Sequence, residues 1–273
     1  MATSVLKKRK RSGRILMFVK SPLPVVYRAG RPLERLLWEK WITSMYFETS
    51  QSHEAEIAGE TFSLPIIQLS DRRAIALLMV IEMGVRFGDV VGDALAERFA
   101  ELKPDIVVGS ATLGIPLAIE VSRRLGIDQY VILQKSPKFH LADAMVEEVR
   151  SITANASQRL LLDRRSIGLL QGRRVLVVDD VVATGSSMAA AIRLVRRAGG
   201  ETVGAGAILT EGHAWRKALG EDAELIVSLG HIPQFDIVDG VPIPDPSTEK
   251  DAWTDQRIFL TRSRQAGRKT SAA

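Results

Sequence analysis

The chain has no cysteine, so it can build no disulfide framework, no thiolate metal site and no cysteine nucleophile. Its apolar runs reach only about a dozen residues, short of the roughly 18 to 20 that a membrane-spanning helix needs. Histidine is scarce: His53, His140, His213 and His231 show no metal-ligand spacing, and HExxH is missing. The segment Gly109–Gly114 (GSATLG) has the four-residue gap of a Walker A loop but continues Ile115-Pro116 instead of Lys-Ser or Lys-Thr. Ser110 lacks the GxSxG surroundings of a hydrolase nucleophile. No internal repeat of solenoid length is visible.

What remains is an ordinary globular composition: 273 residues, 46% hydrophobic and 25% charged. That excludes disordered and collagen-like chains and leaves room for one large α/β domain with appendages, or for two small domains. A reducing compartment fits the missing cysteines, and a cytoplasmic protein is expected. The net charge of +5 hides an asymmetry. Residues 1–44 carry 11 Lys or Arg against Glu34 and Glu39, whereas the rest carries 26 bases against 30 acids. Residues 1–59 therefore read as a basic extension, either a translated leader (with Met17 or Met45 as the native start) or a solvated arm able to touch anions. At the other end, Pro242, Pro244 and Pro246 precede Arg262, Arg264, Arg268 and Lys269. Residues 236–273 are expected to form a loop and a mobile basic tail.

Between about 60 and 235 two kinds of segment alternate. Helical spacing is read over Asp71–Met83, Asp89–Leu102, Pro116–Leu125 and Ser187–Ala198, the last closed by Gly199-Gly200. Strands are read over Asp105–Gly109, Gln129–Leu133, Arg174–Asp179, Thr202–Leu209 and Glu224–Ser228. A continuous apolar run such as Val-Leu-Val-Val suits a strand buried on both faces. The alternation predicts an α/β fold with a mostly parallel sheet flanked by helices, and ligands beyond the carboxyl ends of its strands.

The sharpest such place is Val175–Ser187, VLVVDDVVATGSS. A buried strand ends in two adjacent acids, Asp179 and Asp180, which repel and need a cation or a ligand with vicinal hydroxyls. The small residues Ala183, Thr184, Gly185, Ser186 and Ser187 then lead into a helix, where backbone N–H groups suit a phosphate dianion. A strand ending in a simple helix cap is the plainer reading. Two acids followed by five small cap-competent residues exceed what a cap requires. Gly204-Ala205-Gly206 reads as close strand packing.

This stretch resembles the phosphoribosyl pyrophosphate (PRPP) motif of type I phosphoribosyltransferases, and the resemblance runs over about 60–235. GSATLGIPLA, residues 109–118, resembles the family's pyrophosphate loop. Lys135 and Lys138 resemble paired basic residues of the purine branch, and 147–163 resembles a flexible hood loop. Residues 209–212 and 228–232 resemble strands that shape the base pocket. The resemblance implies a type I fold with a hood element at 60–105 and transfer of 5-phosphoribosyl from PRPP to a purine base. The product would be a nucleoside monophosphate, as in purine salvage.

It also implies roles. Asp179 and Asp180 would hold the ribose hydroxyls, and residues 183–187 would wrap the 5-phosphate. Ser110, Ala111 and Thr112, with an unusual peptide bond among them, and Lys138 would meet pyrophosphate. Lys135 would offset its charge, and Glu147 or Glu148 would stand near the base. Mg2+ would bind through PRPP and water with no direct protein ligand, and a homodimer would be expected, with no nucleic acid or membrane partner. His213 or His231 could line the base pocket, and Trp215 could pack over the rim. Adenine enzymes usually carry Arg where this chain has Leu113, so the choice of purine stays open. A non-enzymatic PRPP-sensing regulator related to the purine repressor is the alternative, although Pro22, Pro24 and Pro32 interrupt any DNA-binding helix pair in the basic extension.

Overall fold

Val175–Val178 is buried on both faces because it lies at the centre of a five-stranded parallel sheet. The structure is a computed structural model and describes residues 10–11, 14–15, 51–137, 143–149 and 158–258. Two units are distinguished, 1–50 and 51–273. In the first, β1 (Lys10–Arg11) pairs antiparallel with β2 (Arg14–Ile15).

The second unit begins with β3 (Ser52–Ile57), β4 (Glu60–Gln68) and β5 (Arg73–Ala76), followed by α1 (Gly84–Phe99). Next come β6 (Ile106–Ser110), α2 (Gly114–Leu125) and β7 (Tyr130–Leu133). An antiparallel ribbon, β8 (Met145–Val149) with β9 (Gln158–Leu162), precedes the short α3 (Ile167–Leu170). Then follow β10 (Arg174–Val182), α4 (Ser186–Arg197), β11 (Glu201–Glu211), α5 (Ala214–Leu219) and β12 (Ile226–Ile232). The chain continues through β13 (Phe235–Val238), β14 (Val241–Pro244) and α6 (Ala252–Asp255). No helix among the described residues is long and apolar enough to cross a membrane.

The parallel sheet has the order β12-β11-β10-β6-β7. The two-residue period of a strand sends Leu176 and Val178 of β10 to the core under α1 and α2, and Val175 and Val177 to the core under α4. Burying both faces explains the unbroken apolar runs. Gly204 and Gly206 are needed where α1 crosses β11, since a Cβ on either would stand under 3 Å from the Phe99 ring.

A second sheet, entirely antiparallel, has the order β14-β13-β5-β4-β3. Asp71–Met83 is therefore not helical, contrary to its apolar spacing. Ala74, Ala76, Leu78 and Val80 are buried in alternation, and in so short an apolar run a period of two and a helical period are hard to separate. Of segment 60–105, the first part belongs to this sheet and Gly84–Phe99 lies against the parallel one. Phe62 and Phe87 join the two parts edge to face, with centroids 5.1 Å apart.

The expected loop after 235 is partly a hairpin. Asp239 (φ 50°) and Gly240 (φ 77°) form the two-residue turn with both central residues left-handed that matches strand twist. Pro242 and Pro244 face Ile237 and Phe235 across the non-hydrogen-bonded positions of the ladder. Their missing N–H groups therefore cost β13 nothing. The stretch 246–258 then packs back on the unit, with Ser228 N donating to the Arg257 carbonyl at 3.1 Å.

The two sheets meet where the β3–β4 turn reaches β12, and Ala58 N donates to the Leu229 carbonyl at 2.9 Å. A Cβ on Gly230 would overlap the Glu56 carbonyl oxygen and approach Leu209 Cδ2 to 2.9 Å. Gly230→Ala is expected to cost about 2 to 3 kcal/mol, because backbone cannot yield as a side-chain tip can. A fall in the thermal unfolding midpoint is the measurement.

Candidate active site

At the carboxyl end of the central strand, Asp179 is buried and Asp180 half-buried. Ser110, at the end of neighbouring β6, donates its hydroxyl to Asp179 Oδ1 at 2.7 Å, and Asp180 N–H donates to the same oxygen at 3.1 Å. Burial, followed by the charge of Asp180, pushes the Asp179 carboxyl up to about 7. The Ser110 hydrogen bond and the Lys135 ammonium pull the other way.

Beyond the acids the chain turns through Ala183, Thr184 and Gly185 into α4, which begins with Ser186 and Ser187. Gly185 has φ 76°, and its ideal Cβ would stand 2.8 Å from both Cα and O of Trp215. Only glycine fits, on conformation and on space. Thr184 Oγ1 lies 3.4 Å from Ser186 N, and Gly185 O accepts from Ala189 N at 2.9 Å as the helix starts. Gly185 has no side chain to cap this end, Ser186 N–H is met by the Thr184 hydroxyl, and the positive end of the α4 dipole lies here. A concavity of about 140 Å3 opens there, lined by Asp179, Ala183, Thr184, Gly185 and Ser187 among others.

A sequence model of the phosphoribosyl transferase domain matches residues 81–230, more than half of the chain. The chain belongs to that family. Among its relatives is the orotate phosphoribosyltransferase of Caldanaerobacter subterraneus subsp. tengcongensis, 31% identical over 170 residues, spanning 60% of this chain and 77% of the relative. The xanthine phosphoribosyltransferase of Laribacter hongkongensis is 32% identical over 157 residues, 57% of this chain and 82% of the relative. The adenine phosphoribosyltransferase of Thermobifida fusca is 36% identical over 133 residues, 49% and 72% respectively. The type I phosphoribosyltransferase fold read from the sequence holds, and the protein is an enzyme that transfers phosphoribosyl from PRPP.

In this phosphoribosyltransferase the paired acids and the small-residue turn come together as the motif suggested. The loop after β6 arrives beside them: the Ala111–Thr112 peptide bond is cis, Ala111 N donates to Leu133 O at 2.8 Å, and Thr112 is exposed. Ser110 is 3% exposed, and its hydroxyl turns inward to Asp179. Lys135 is exposed just past β7 and acts on Asp179 through its charge. Lys138 lies outside the described residues, as do residues 150–157 of the hood loop.

Glu148 is not gathered into this group. It is exposed on β8, with its carbonyl accepting from Arg193 Nη2 at 3.4 Å. Its neighbour Glu147 is bound by Arg193 Nε at 2.6 Å and by Arg197 Nη1 at 2.7 Å. Arg193 lies about 10 Å along the helix axis from Ser186, so these contacts hold the ribbon beside the middle of α4 and away from its N-terminus.

His213 and His231 stack with centroids 5.4 Å apart, but they serve the C-terminal segment. Their Nε2 atoms lie 2.8 Å from Glu249 O and 2.9 Å from Thr248 O respectively, so each imidazole donates there. His231 Nδ1 is then the acceptor of the Thr210 hydroxyl at 2.9 Å. Sequence reasoning placed Trp215 at the rim and did not single out Glu211. Trp215 is 1% exposed, donates Nε1–H to Gly212 O at 2.9 Å, and forms with its backbone the floor under Gly185. Glu211 is buried at the end of β11, where desolvation pushes its carboxyl up against a hydrogen bond from Gln234. An acid closing an otherwise apolar buried strand is the signal that could have drawn notice to it.

Proposed function

We propose that the base is a purine, so that the enzyme converts PRPP and a purine into a nucleoside monophosphate and pyrophosphate. The observation that carries the donor side is the succession, along one strand and the turn after it, of paired acids, a glycine turn and a helix N-terminus. Relatives named for adenine and for xanthine support a purine, and the relative named for orotate supplies the competing acceptor.

In this reading the 5-phosphate sits on the N–H groups of the 183–187 turn, where the dipole of α4 favours a dianion. Asp179 and Asp180 accept the ribose hydroxyls. The bond from C1 of the ribose to the pyrophosphate oxygen breaks, a base nitrogen bonds to C1, and the proton of that nitrogen passes to water or to the departing pyrophosphate. Positive charge building on the ribose faces two carboxylates fixed in advance, which is where preorganised electrostatics lowers a barrier. Lys135 balances the departing pyrophosphate, with Thr112 at the mouth of its loop. Among the described residues no three His, Asp or Glu side chains converge on a point. Mg2+ carried in with PRPP would screen the phosphate charge at this site.

The test is pyrophosphate release from PRPP with adenine, hypoxanthine, guanine, xanthine and orotate offered separately. Release with at least one purine and none with orotate is expected. Release with orotate alone would overturn the purine assignment and leave the donor site standing.

A further inference from the structure

We infer that Ser110 is a positioning residue: it fixes Asp179 from behind instead of contacting pyrophosphate. The inference rests on the reading of Asp179 and Asp180 as acceptors of the ribose hydroxyls. Ser110 ends β6, one position past the Gly109–Val178 pairing, so its side chain arrives beside the acid across the strand gap. Its Oγ lies 2.7 Å from Asp179 Oδ1, and both residues are buried. A serine hydroxyl has one proton. Given to Asp179, it is unavailable to a leaving group.

The same Oδ1 also accepts Asp180 N–H, so that oxygen is held by two donors, while the Asp180 carboxyl lies within hydrogen-bond reach of the Asp179 side chain. The first residue of α2, Gly114, closes over the contact: a Cβ there would stand 3.1 Å from Asp179 Oδ1 and 3.6 Å from Ser110 Oγ. The arrangement thus joins the end of β6, the start of α2 and the end of β10 at a single carboxylate.

The electrostatics agree. The groups acting on Asp179 are Asp180 on its own strand, Lys135 beyond β7 and Ser110 on β6. Burial and Asp180 favour the protonated acid, while Ser110 and Lys135 favour the carboxylate. Without the serine hydroxyl, Asp179 loses a support for its charge and a restraint on its rotation. Its proton should then be lost at higher pH, and the hydroxyl-accepting form should be scarcer near neutrality.

The test uses the full chain with Ser110→Ala and Ser110→Thr. Carboxyl carbon NMR of aspartate-labelled protein, without substrates and assigned through Asp179→Asn, follows the titration directly. In Ser110→Ala the Asp179 midpoint is expected to rise by about one pH unit. PRPP affinity by calorimetry at pH 7.5 should fall by about tenfold. Ser110→Thr, which keeps the hydroxyl, should restore both, and an unchanged unfolding midpoint shows that the fold is retained. An Asp179 titration indifferent to Ser110→Ala overturns the inference. Wild-type protein that binds no PRPP would instead defeat the donor-site reading, and the titration would still decide what Ser110 does.

Discussion

Gly185→Val is expected to abolish phosphoribosyl transfer, by about a thousandfold or more in kcat/KM, and to cost about 3 kcal/mol in stability. Both effects have one origin. At φ 76° a β-branched residue is strained, and the added carbons would collide with the Cα and carbonyl oxygen of Trp215. The Trp215 floor cannot retreat easily. Its indole is buried at 5.3 Å from Trp253, and the next residue, Arg216, is clamped by Asp251 through contacts of 2.7 Å. The turn must open, which carries the N–H groups of Ser186 and Ser187 away from a phosphate. Steady-state kinetics below the unfolding transition, beside thermal unfolding, would show the two losses separately. A variant that unfolds earlier yet keeps normal kcat/KM would mean that the turn does not hold the donor.

The second large effect is expected from Asp179→Asn combined with Asp180→Asn: activity down by more than about a thousandfold, with stability at pH 8 raised by roughly 1 to 3 kcal/mol. The sign follows from Asp179. Its carboxyl titrates near 7 in the fold against an ordinary value of 3.8. The stability that this group contributes is full below 3.8 and is lost as pH rises through about 7. At pH 8 the wild-type protein bears a buried charge that asparagine avoids, while asparagine still accepts from Ser110. The gap between variant and wild type should close as pH falls toward 4. Denaturant unfolding at several pH values measures it. An inactive double variant with no gain in stability at pH 8 would show that the acids are not held against an electrostatic cost.

Much of this was legible in the sequence because the parallel sheet is buried on both faces and so writes itself as unbroken apolar runs. Val175–Val178 was read correctly as a buried strand, although the strand runs on past the acids to Val182, and the glycine turn was placed by its composition. Legibility failed where a pattern supports two periods. Arg73–Ala76 reads equally well as helix until its pairing with Ile66–Gln68 is known. Asp239-Gly240 is a strong hairpin signal that the neighbouring prolines obscured. At the site, the motif announced the residues but not their directions. Nothing in GSATLG indicates that Ser110 turns inward, since that depends on a partner 69 residues away. Trp215 was expected at the rim, but its place under Gly185 was not legible, because that part is played by backbone, which any residue type could supply.

The outer strand β14 has one further consequence. Because Pro242 and Pro244 occupy the positions that do not bond to β13, their ring nitrogens lie on the opposite, open side of the strand. The border of the smaller sheet thus offers carbonyls there but, at those two points, no protons. An incoming extended peptide would meet acceptors without matching donors, so this flank is a poor template for continued growth, even though Val241 and Ile243 leave it greasy. Two residues that look like interruptions in the linear chain act as the selvedge that stops the fabric from being extended by a neighbour.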